Sequence, residues 1–149
     1  MKREAGFTLV EILAVVVLLG LLLSLIWNVM LQNAFQQKRV QNEMNIQNSA
    51  KTLLNHIGDV VMVQNIPIVT EINSGAYNNG EEYVVESLEF KNGQEIVKSG
   101  SVVNFDGKAY NYIKSIKVTV ENRSLSVVVE GENDKAKVEF SNTFYTRNT

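Results

Sequence analysis

The fold of this chain is decided by residues 12–31, which read ILAVVVLLGLLLSLIWNVML. Ser24 and Asn28 are the only polar residues in this stretch. At about 1.5 Å rise per residue, a helix of this length spans roughly 30 Å, which is the thickness of the hydrocarbon core of a bilayer. The sequence therefore predicts a helix that crosses a membrane.

One carboxylate, Glu11, directly precedes the apolar run, and Phe7, Leu9 and Val10 extend the apolar character on its other side. An ionisable side chain costs about 2.5–3.5 kcal/mol at the centre of a membrane, and less near the end of a span. A simple anchor gains nothing from this cost, so we interpret Glu11 as a functional residue that has a partner. The alternative is an interfacial carboxylate that snorkels toward water.

The residues ahead of the span, MKREAG, include two cations, Lys2 and Arg3. Positive charge in front of an apolar span keeps that end in the cytoplasm, so the rest of the chain is predicted to lie outside the cytoplasm. A secretory signal peptide has the same order of charge and apolar core, but a small-x-small cleavage site follows its core. Residues 31–35 are a poor site of that kind, whereas a small residue, Gly6, precedes the core.

Residues 6–11, Gly-Phe-Thr-Leu-Val-Glu, resemble the N-terminal signature of the type IV pilin-like proteins, also called pseudopilins. The resemblance implies that a prepilin peptidase cuts between Gly6 and Phe7 on the cytoplasmic face. The same enzyme is then expected to methylate the new amine, which makes Phe7 an N-methylphenylalanine. The resemblance also implies that the Glu11 carboxylate pairs with the N-terminal amine of a neighbouring subunit during assembly. Such pairing makes a buried charge tolerable where the dielectric is low.

The composition restricts the function of the remaining chain. Its 149 residues suit one small folded domain and an anchor. The absence of cysteine excludes disulfides, thiol nucleophiles and thiolate metal sites. A net charge of −2 gives no electrostatic footprint for nucleic acid, so we predict no direct nucleic acid binding, although a filament that contains the chain could serve DNA uptake.

A helical pattern continues beyond the predicted span. Residues 32–56 contain neither Pro nor Gly, and apolar residues recur near the helical period with polar residues on the other side. Gly58 and Asp59 predict the end of this helix. The predicted organisation is a leader at residues 1–6, a membrane or filament-core helix at 7–31, an amphipathic continuation at 32–58 and an extracytoplasmic β-rich domain at 59–149.

Short alternating apolar runs, divided by turn residues, follow the helix. Two residue pairs, Asn92-Gly93 and Asp106-Gly107, are hairpin signals. The predicted strands are residues 60–63, 66–72 (interrupted by Pro67), 83–90, 95–98, 102–105, 108–112, 115–120, 125–130 and 136–140. We predict an α+β, pilin-like fold in which the amphipathic half of a long N-terminal helix packs on one face of an antiparallel β-sheet meander.

Residues suited to catalysis or metal binding are few. His56 is the only histidine, and we interpret it as a solvated residue or as a residue of the helix C-terminus. Glu130, Glu132 and Asp134 share one predicted turn and are a candidate set of calcium ligands, but a solvated hairpin is the favoured interpretation. We predict no catalytic residue, no metal site and no cofactor.

The sequence and the resemblance together predict a structural subunit of a pilus or pseudopilus filament that serves secretion, DNA uptake or adhesion. We expect an inner-membrane precursor with a cytoplasmic N-terminus, which is later part of a periplasmic or cell-surface filament. The implied partners are the prepilin peptidase, other pilin or pseudopilin subunits, a membrane platform protein with its ATPase and, before assembly, the lipid bilayer.

Within this family we favour a minor subunit, because the predicted globular part is elaborate and lacks a repeat or a disulfide. Residues 144–149 resemble the end of J-type minor pseudopilins, although a frayed tail or a short final strand is the favoured interpretation of these residues. Two other functions stay open. One is a signal-anchored extracytoplasmic binding or sensor domain that does not polymerise, and the other is an exported enzyme with an unrecognised site.

Overall fold

One long helix and two antiparallel sheets make up the fold, as seen in a computed structural model that describes residues 8–63, 68–133 and 136–146. The chain divides into two compact units between Val40 and Gln41. Helix α1, Leu9–Val63, contributes to both units. The α+β class that the sequence predicts is therefore confirmed.

The described part of the first unit is the beginning of α1. Every residue from Thr8 to Val40 is exposed, including the leucines and valines of the apolar run. A helix that is apolar all round needs lipid or other protein around it. Among the described residues, α1 is the one helix that is long and apolar enough to cross a membrane.

In the second unit, α1 buries one side of its surface. The buried residues recur three or four positions apart, which makes them an apolar stripe. They are Ile46, Ala50, Leu53, Leu54, Ile57, Gly58, Val60 and Val61. The predicted helix end at Gly58-Asp59 and the predicted strand at residues 60–63 are therefore wrong. The reason is that Val60 and Val61 extend the apolar stripe by a further turn, and burial of this turn outweighs the low helix propensity of glycine.

The strands that follow form two sheets. Within the described residues they are β1 Val69–Ile72, β2 Glu82–Val84, β3 Ser87–Phe90, β4 Glu95–Ser99, β5 Val102–Phe105, β6 Lys108–Asn111, β7 Ile113–Glu121, β8 Ser124–Asn133 and β9 Ala136–Tyr145. The first sheet has the order β1-β3-β4-β5-β6, and the second has the order β2-β7-β8-β9. All of these neighbours are antiparallel.

Both predicted hairpins are present. Asn92 and Gly93 lie between β3 and β4, and Asp106 and Gly107 join β5 to β6. Asp106 and Gly107 have φ angles of 49° and 72°. Positive φ at both central residues is the requirement of a type I′ turn, whose twist matches that of the strands it connects.

The predicted strand at residues 83–90 is two strands, β2 and β3, which belong to different sheets. The backbone N–H of Val85 donates to the C=O of Ile116 in β7 at 2.8 Å. One residue later, the C=O of Glu86 accepts from the N–H of Lys98 in β4 at 2.8 Å. The chain thus leaves one sheet and enters the other within two residues, so the predicted single meander is wrong.

The helix and the inner faces of both sheets share one buried apolar cluster. The alternating faces predicted for β7 and β8 are confirmed as buried. They are Ile116, Val118 and Val120 in β7 and Leu125, Val127 and Val129 in β8. Residues 66 and 67, which fall in another predicted strand, lie outside the described residues.

Candidate functional site

Glu11 lies in the first turn of α1, beside the residue that caps the helix. Its backbone N–H donates to the Thr8 C=O at 3.0 Å and is 3.4 Å from Thr8 Oγ1. Thr8 is therefore the N-cap, and Glu11 is the third helical residue, which is the Thr-x-x-Glu spacing of a capping box. A carboxylate at this position also interacts favourably with the positive end of the helix dipole.

The Glu11 carboxylate is isolated in an apolar surrounding. No other Asp, Glu, Lys or Arg occurs in the sequence between Glu11 and Lys38. Its neighbours Leu9, Val10 and Ile12 are all exposed. Among the described residues, nothing forms an ion pair with this carboxylate. A charge in such a place needs a partner from outside these residues once water is excluded.

Two other residues that the sequence analysis singled out, Gly6 and Phe7, lie outside the described residues. Cleavage between them and methylation of Phe7 therefore stay predictions. Thr8, the first described residue, is next to this position in the chain. The described geometry thus begins one residue after the predicted first residue of the mature chain, Phe7.

His56 has close partners that the sequence analysis missed. Its Nδ1 lies 2.8 Å from the Tyr110 hydroxyl, and its Nε2 lies 3.7 Å from Asp106 Oδ2. The imidazole also packs on the ring of Phe105, with 4.4 Å between the ring centroids. The interpretation of His56 as a solvated residue is therefore wrong, and α1 continues for seven residues beyond it, to Val63. No local sequence signal reports these contacts, because they depend on where the β5–β6 hairpin lies against α1.

The order carboxylate, imidazole, hydroxyl in this cluster invites comparison with a catalytic triad. Burial, and secondarily the negative charge of Asp106, raise the pKa of the Tyr110 phenol above its usual range. A phenol with a raised pKa keeps its proton, which is the opposite of what activates a nucleophile. The hydrogen bond between the Tyr110 hydroxyl and His56 Nδ1 instead joins α1 to the β5–β6 hairpin.

Glu130 and Glu132, two of the candidate calcium ligands, have lysine partners. Glu130 forms ion pairs with Lys137 and, at 3.9 Å, with Lys114, and Glu132 pairs with Lys114. The Ser115 hydroxyl donates to Glu130 Oε2 at 2.9 Å. The hydrogen bond from Lys137, followed by that from Ser115, lowers the pKa of Glu130.

Both carboxylates therefore already have cationic partners within the chain. No group of three or more His, Cys, Asp or Glu side chains in the described part of the chain is arranged to hold a metal ion. Asp134, the third candidate ligand, lies outside the described residues. The arrangement of Glu130 and Glu132 favours the interpretation as a hairpin whose charges pair across strands.

The beginning of the chain also matches a known motif. A family model described as the prokaryotic N-terminal methylation motif matches residues 1–27. This range contains Gly6, Phe7 and Glu11 and most of the apolar run. No curated protein and no solved structure matches the chain significantly. Proteins of the pilin type that carry this motif are structural rather than catalytic, in agreement with the predicted lack of enzymatic activity. The chain thus carries, at residues 1–27, a prepilin-type signal of the type IV pilin-like and pseudopilin-like proteins, which prepilin peptidase processes.

Proposed function

We propose that this chain is a minor structural subunit of a type IV pilus-like or pseudopilus filament, with Glu11 as the residue that places it in the filament. The observation that carries the proposal is the isolation of Glu11. It is the one ionisable side chain in the described apolar part of α1, and its surrounding side chains are apolar and exposed. An unpaired charge is unfavourable there, so a partner on another molecule is the natural complement.

The proposed partner is the N-terminal amine of Phe7 in a neighbouring subunit. Cleavage after Gly6 creates this amine, and methylation leaves it able to carry a positive charge. The amine and the carboxylate are then paired where the dielectric is low, so the two subunits lie in a fixed register along the filament. The exposed apolar side chains that follow in α1 are buried by neighbouring helices in the filament core.

The remaining parts of the chain have the following roles in this proposal. Residues 1–6 are the leader, which stays in the cytoplasm because of Lys2 and Arg3. Residues 7–31 span the inner membrane before assembly, and the β-rich domain lies outside the cytoplasm. A platform protein and its ATPase extract the processed subunit from the bilayer into a filament that serves secretion, DNA uptake or adhesion.

The role as a minor subunit is supported by the domain itself. In the part of the chain that the structure describes, two sheets of five and four strands are built without any cysteine. Such a domain suits a position at the tip or at the start of a filament, where few copies are needed. The J-type assignment is part of this proposal and depends on the resemblance at residues 144–149.

The first experiment is to determine the N-terminus of the mature chain by mass spectrometry, in cells with and without a prepilin peptidase. The proposal expects a chain that begins at N-methylated Phe7 only when the peptidase is present. A chain that still begins at Met1, or that is cut beyond Leu31, would contradict it. Those results would leave the anchored domain that does not polymerise as the better explanation.

The second experiment tests Glu11 by the substitution Glu11→Gln. This variant keeps the size and the hydrogen-bonding capacity of the side chain but removes its charge. We expect unchanged membrane insertion and cleavage, with at least a tenfold loss of incorporation into filaments. The substitution Asn28→Ala, at another polar position of the same helix, is the matched control and should assemble normally. Normal incorporation of Glu11→Gln would rule out the pairing.

A further inference from the structure

We infer that a groove between α1 and the open edge of β6 binds an extended, uncharged peptide segment of a partner protein, which adds to β6 as a further strand. The groove has a volume of about 420 Å³ and lies within the second unit. Asn45, Asn48, Ser49 and Thr52 of α1 line one side, and Ala109, Tyr110 and Tyr112 line the other. This inference does not depend on the proposed filament function.

The helix side of the groove is a stripe of uncharged polar side chains. Asn45, Asn48, Ser49 and Thr52 follow the spacing i, i+3, i+4 and i+7, so they share one face of α1. Asn45, Asn48 and Thr52 are exposed, and Ser49 is half-buried. Amide and hydroxyl groups both donate and accept hydrogen bonds, so this face can bind polar side chains and backbone groups of an extended guest.

The strand side of the groove offers backbone groups that pair with no other strand among the described residues. A two-residue turn makes Phe105 and Lys108 a hydrogen-bonded pair, so the next pair, Asn104 and Ala109, is not hydrogen-bonded. By the same alternation, Ala109 and Asn111 direct their N–H and C=O groups away from β5. β6 is the last strand of its sheet within the described residues. These groups are therefore positioned to pair with an added strand.

The pairing of β5 with β4 supports this assignment of the hydrogen-bonded pairs between β5 and β6. Ser99 and Val102 flank the two-residue turn between β4 and β5, so they form a hydrogen-bonded pair. Two residues further along each strand, Val97 and Asn104 form the next hydrogen-bonded pair. Asn104 therefore directs its backbone groups to β4, which agrees with the absence of bonds from Asn104 to β6.

The chemistry of the lining favours an uncharged guest. Its residues carry amides, hydroxyls, phenols and the methyl groups of Thr52 and Ala109, but no carboxylate, ammonium or guanidinium group. Burial keeps the pKa of Tyr110 above its usual range, so this phenol stays neutral at physiological pH. A charged guest side chain would lose water here without gaining an opposite charge. The periodic backbone groups of β6 favour a peptide over a neutral sugar.

Tyr112 lies at the end of the groove in a strained backbone conformation. Its φ angle is 65°, which is unusual for a bulky residue that is not glycine. Its C=O accepts from the N–H of Glu132 at 2.9 Å, which helps to hold this conformation. The side chain is 41% exposed, so much of the ring is available to a guest. Strain of this kind often occurs at ligand-binding positions.

The test uses the full chain in detergent micelles and a display library of random ten-residue peptides. We expect the selected peptides to be poor in Asp, Glu, Lys and Arg. Their synthetic versions should protect the backbone amides of Ala109 and Asn111 from hydrogen exchange. Asn48→Lys, which introduces an unpaired charge into the groove, should weaken their binding at least tenfold. Gln47→Lys, the same change at an exposed neighbour outside the groove, should leave binding unchanged.

A second variant protects the test against a change of fold. Tyr112→Asn removes the ring but keeps a residue that tolerates a positive φ, and it should also weaken binding. The inference is overturned if no peptide is selected, or if selected peptides bind Asn48→Lys as well as the unmodified chain. It is also overturned if neutral oligosaccharides bind the groove and peptides do not. Glu11→Gln should not alter peptide binding, so the filament proposal can fail separately.

Discussion

Gly58 of α1 lies directly against the ring of Phe144 in β9, so closely that a methyl group at position 58 would overlap the ring. A Cβ atom placed there would be 2.5 Å from Cε1 of Phe144 and 3.0 Å from Cδ1. In a second close contact the glycine belongs to the sheet and the large side chain belongs to the helix. There, Gly131 of β8 leaves room for the side chain of Ile46 in α1. The helix therefore approaches the second sheet closely at two places, with a glycine on one partner at each.

The first prediction is that Gly58→Ala destabilises the domain. Alanine is favoured over glycine inside a helix by about 1 kcal/mol, but overpacking a dense core typically costs about 1–3 kcal/mol. We expect the overpacking to prevail, with a net loss of about 1 kcal/mol in the free energy of unfolding. The measurement is thermal unfolding of the full chain in detergent micelles.

Gly20→Ala is the control for this prediction, because a Cβ at position 20 meets nothing within 4 Å. It should leave the stability unchanged or increase it slightly. Combining Gly58→Ala with Phe144→Leu should cost less than the sum of the two single changes, because the two residues are in contact. A Gly58→Ala chain more stable than the unmodified protein would contradict the close packing.

The second prediction concerns the hydrogen bond between His56 and Tyr110. Tyr110→Phe removes the hydroxyl that lies 2.8 Å from His56 Nδ1 but keeps the ring. We expect a loss of about 1 kcal/mol in the free energy of unfolding, because a partly buried imidazole nitrogen loses its partner. Tyr145→Phe is the matched control, since Tyr145 is 67% exposed. Equal effects of the two changes would show that the hydrogen bond contributes nothing.

The third prediction is an effect of alkaline pH that depends on Tyr110. Burial raises the pKa of Tyr110 in the folded state, so its contribution to stability is fully present below the unfolded pKa, which is about 10. That contribution is lost as the pH rises through the folded pKa. Chemical denaturation between pH 9 and pH 11 should show a steeper fall in stability for the unmodified chain than for Tyr110→Phe. If the stability of the unmodified chain and that of Tyr110→Phe fell equally with pH, the raised pKa of Tyr110 would be contradicted.

The fourth prediction concerns acid and the ion pairs of Glu130. Lys137, Ser115 and Lys114 lower the pKa of Glu130 in the folded state, so its contribution to stability is present above the unfolded pKa of about 4.3. It is lost as the pH falls through the folded pKa. Glu130→Gln should therefore lower the melting temperature at pH 7 and have little effect at pH 2. If Glu130→Gln lowered the melting temperature as much at pH 2 as at pH 7, its effect would come from packing and not from charge.

The sequence predicted the parts of the fold that depend on local patterns. The apolar run gave the membrane-type helix, and Asp106-Gly107 gave a hairpin, because a type I′ turn requires residues that tolerate positive φ. The end of α1 was missed because Gly58 looks like a stop signal when its neighbours are unknown. Its burial against Phe144 is a contact between residues far apart in the sequence, and no local pattern reports it.

The features of the candidate site also fall into two groups. Some are reported by a local sequence pattern, and others depend on contacts between residues far apart in the sequence. Glu11 could be singled out because a charge beside an apolar run is anomalous whatever the fold, and its motif is local; its role stays a prediction. The two sheets were not found, because Val84 and Ser87 belong to strands that differ only in their distant partners. The surroundings of His56 were missed for the same reason. They depend on how the β5–β6 hairpin packs on the helix, and a pattern of alternating residues leaves this open.

The fifth prediction is that Thr8 holds the start of α1 through its side chain. Thr8→Val keeps the shape of the residue but removes the Oγ1 atom that lies 3.4 Å from the Glu11 N–H. The loss of an N-cap typically costs about 1 kcal/mol, so the Glu11 amide should exchange its hydrogen about fivefold faster in detergent micelles. Thr8→Ser retains the hydroxyl and should behave like the unmodified chain.

The melting temperature of the β-rich domain should not change, because the cap contacts only the first turn of α1. Unchanged exchange at Glu11 in Thr8→Val would mean that the Thr8 C=O, which also accepts from this N–H at 3.0 Å, holds the turn without the side chain.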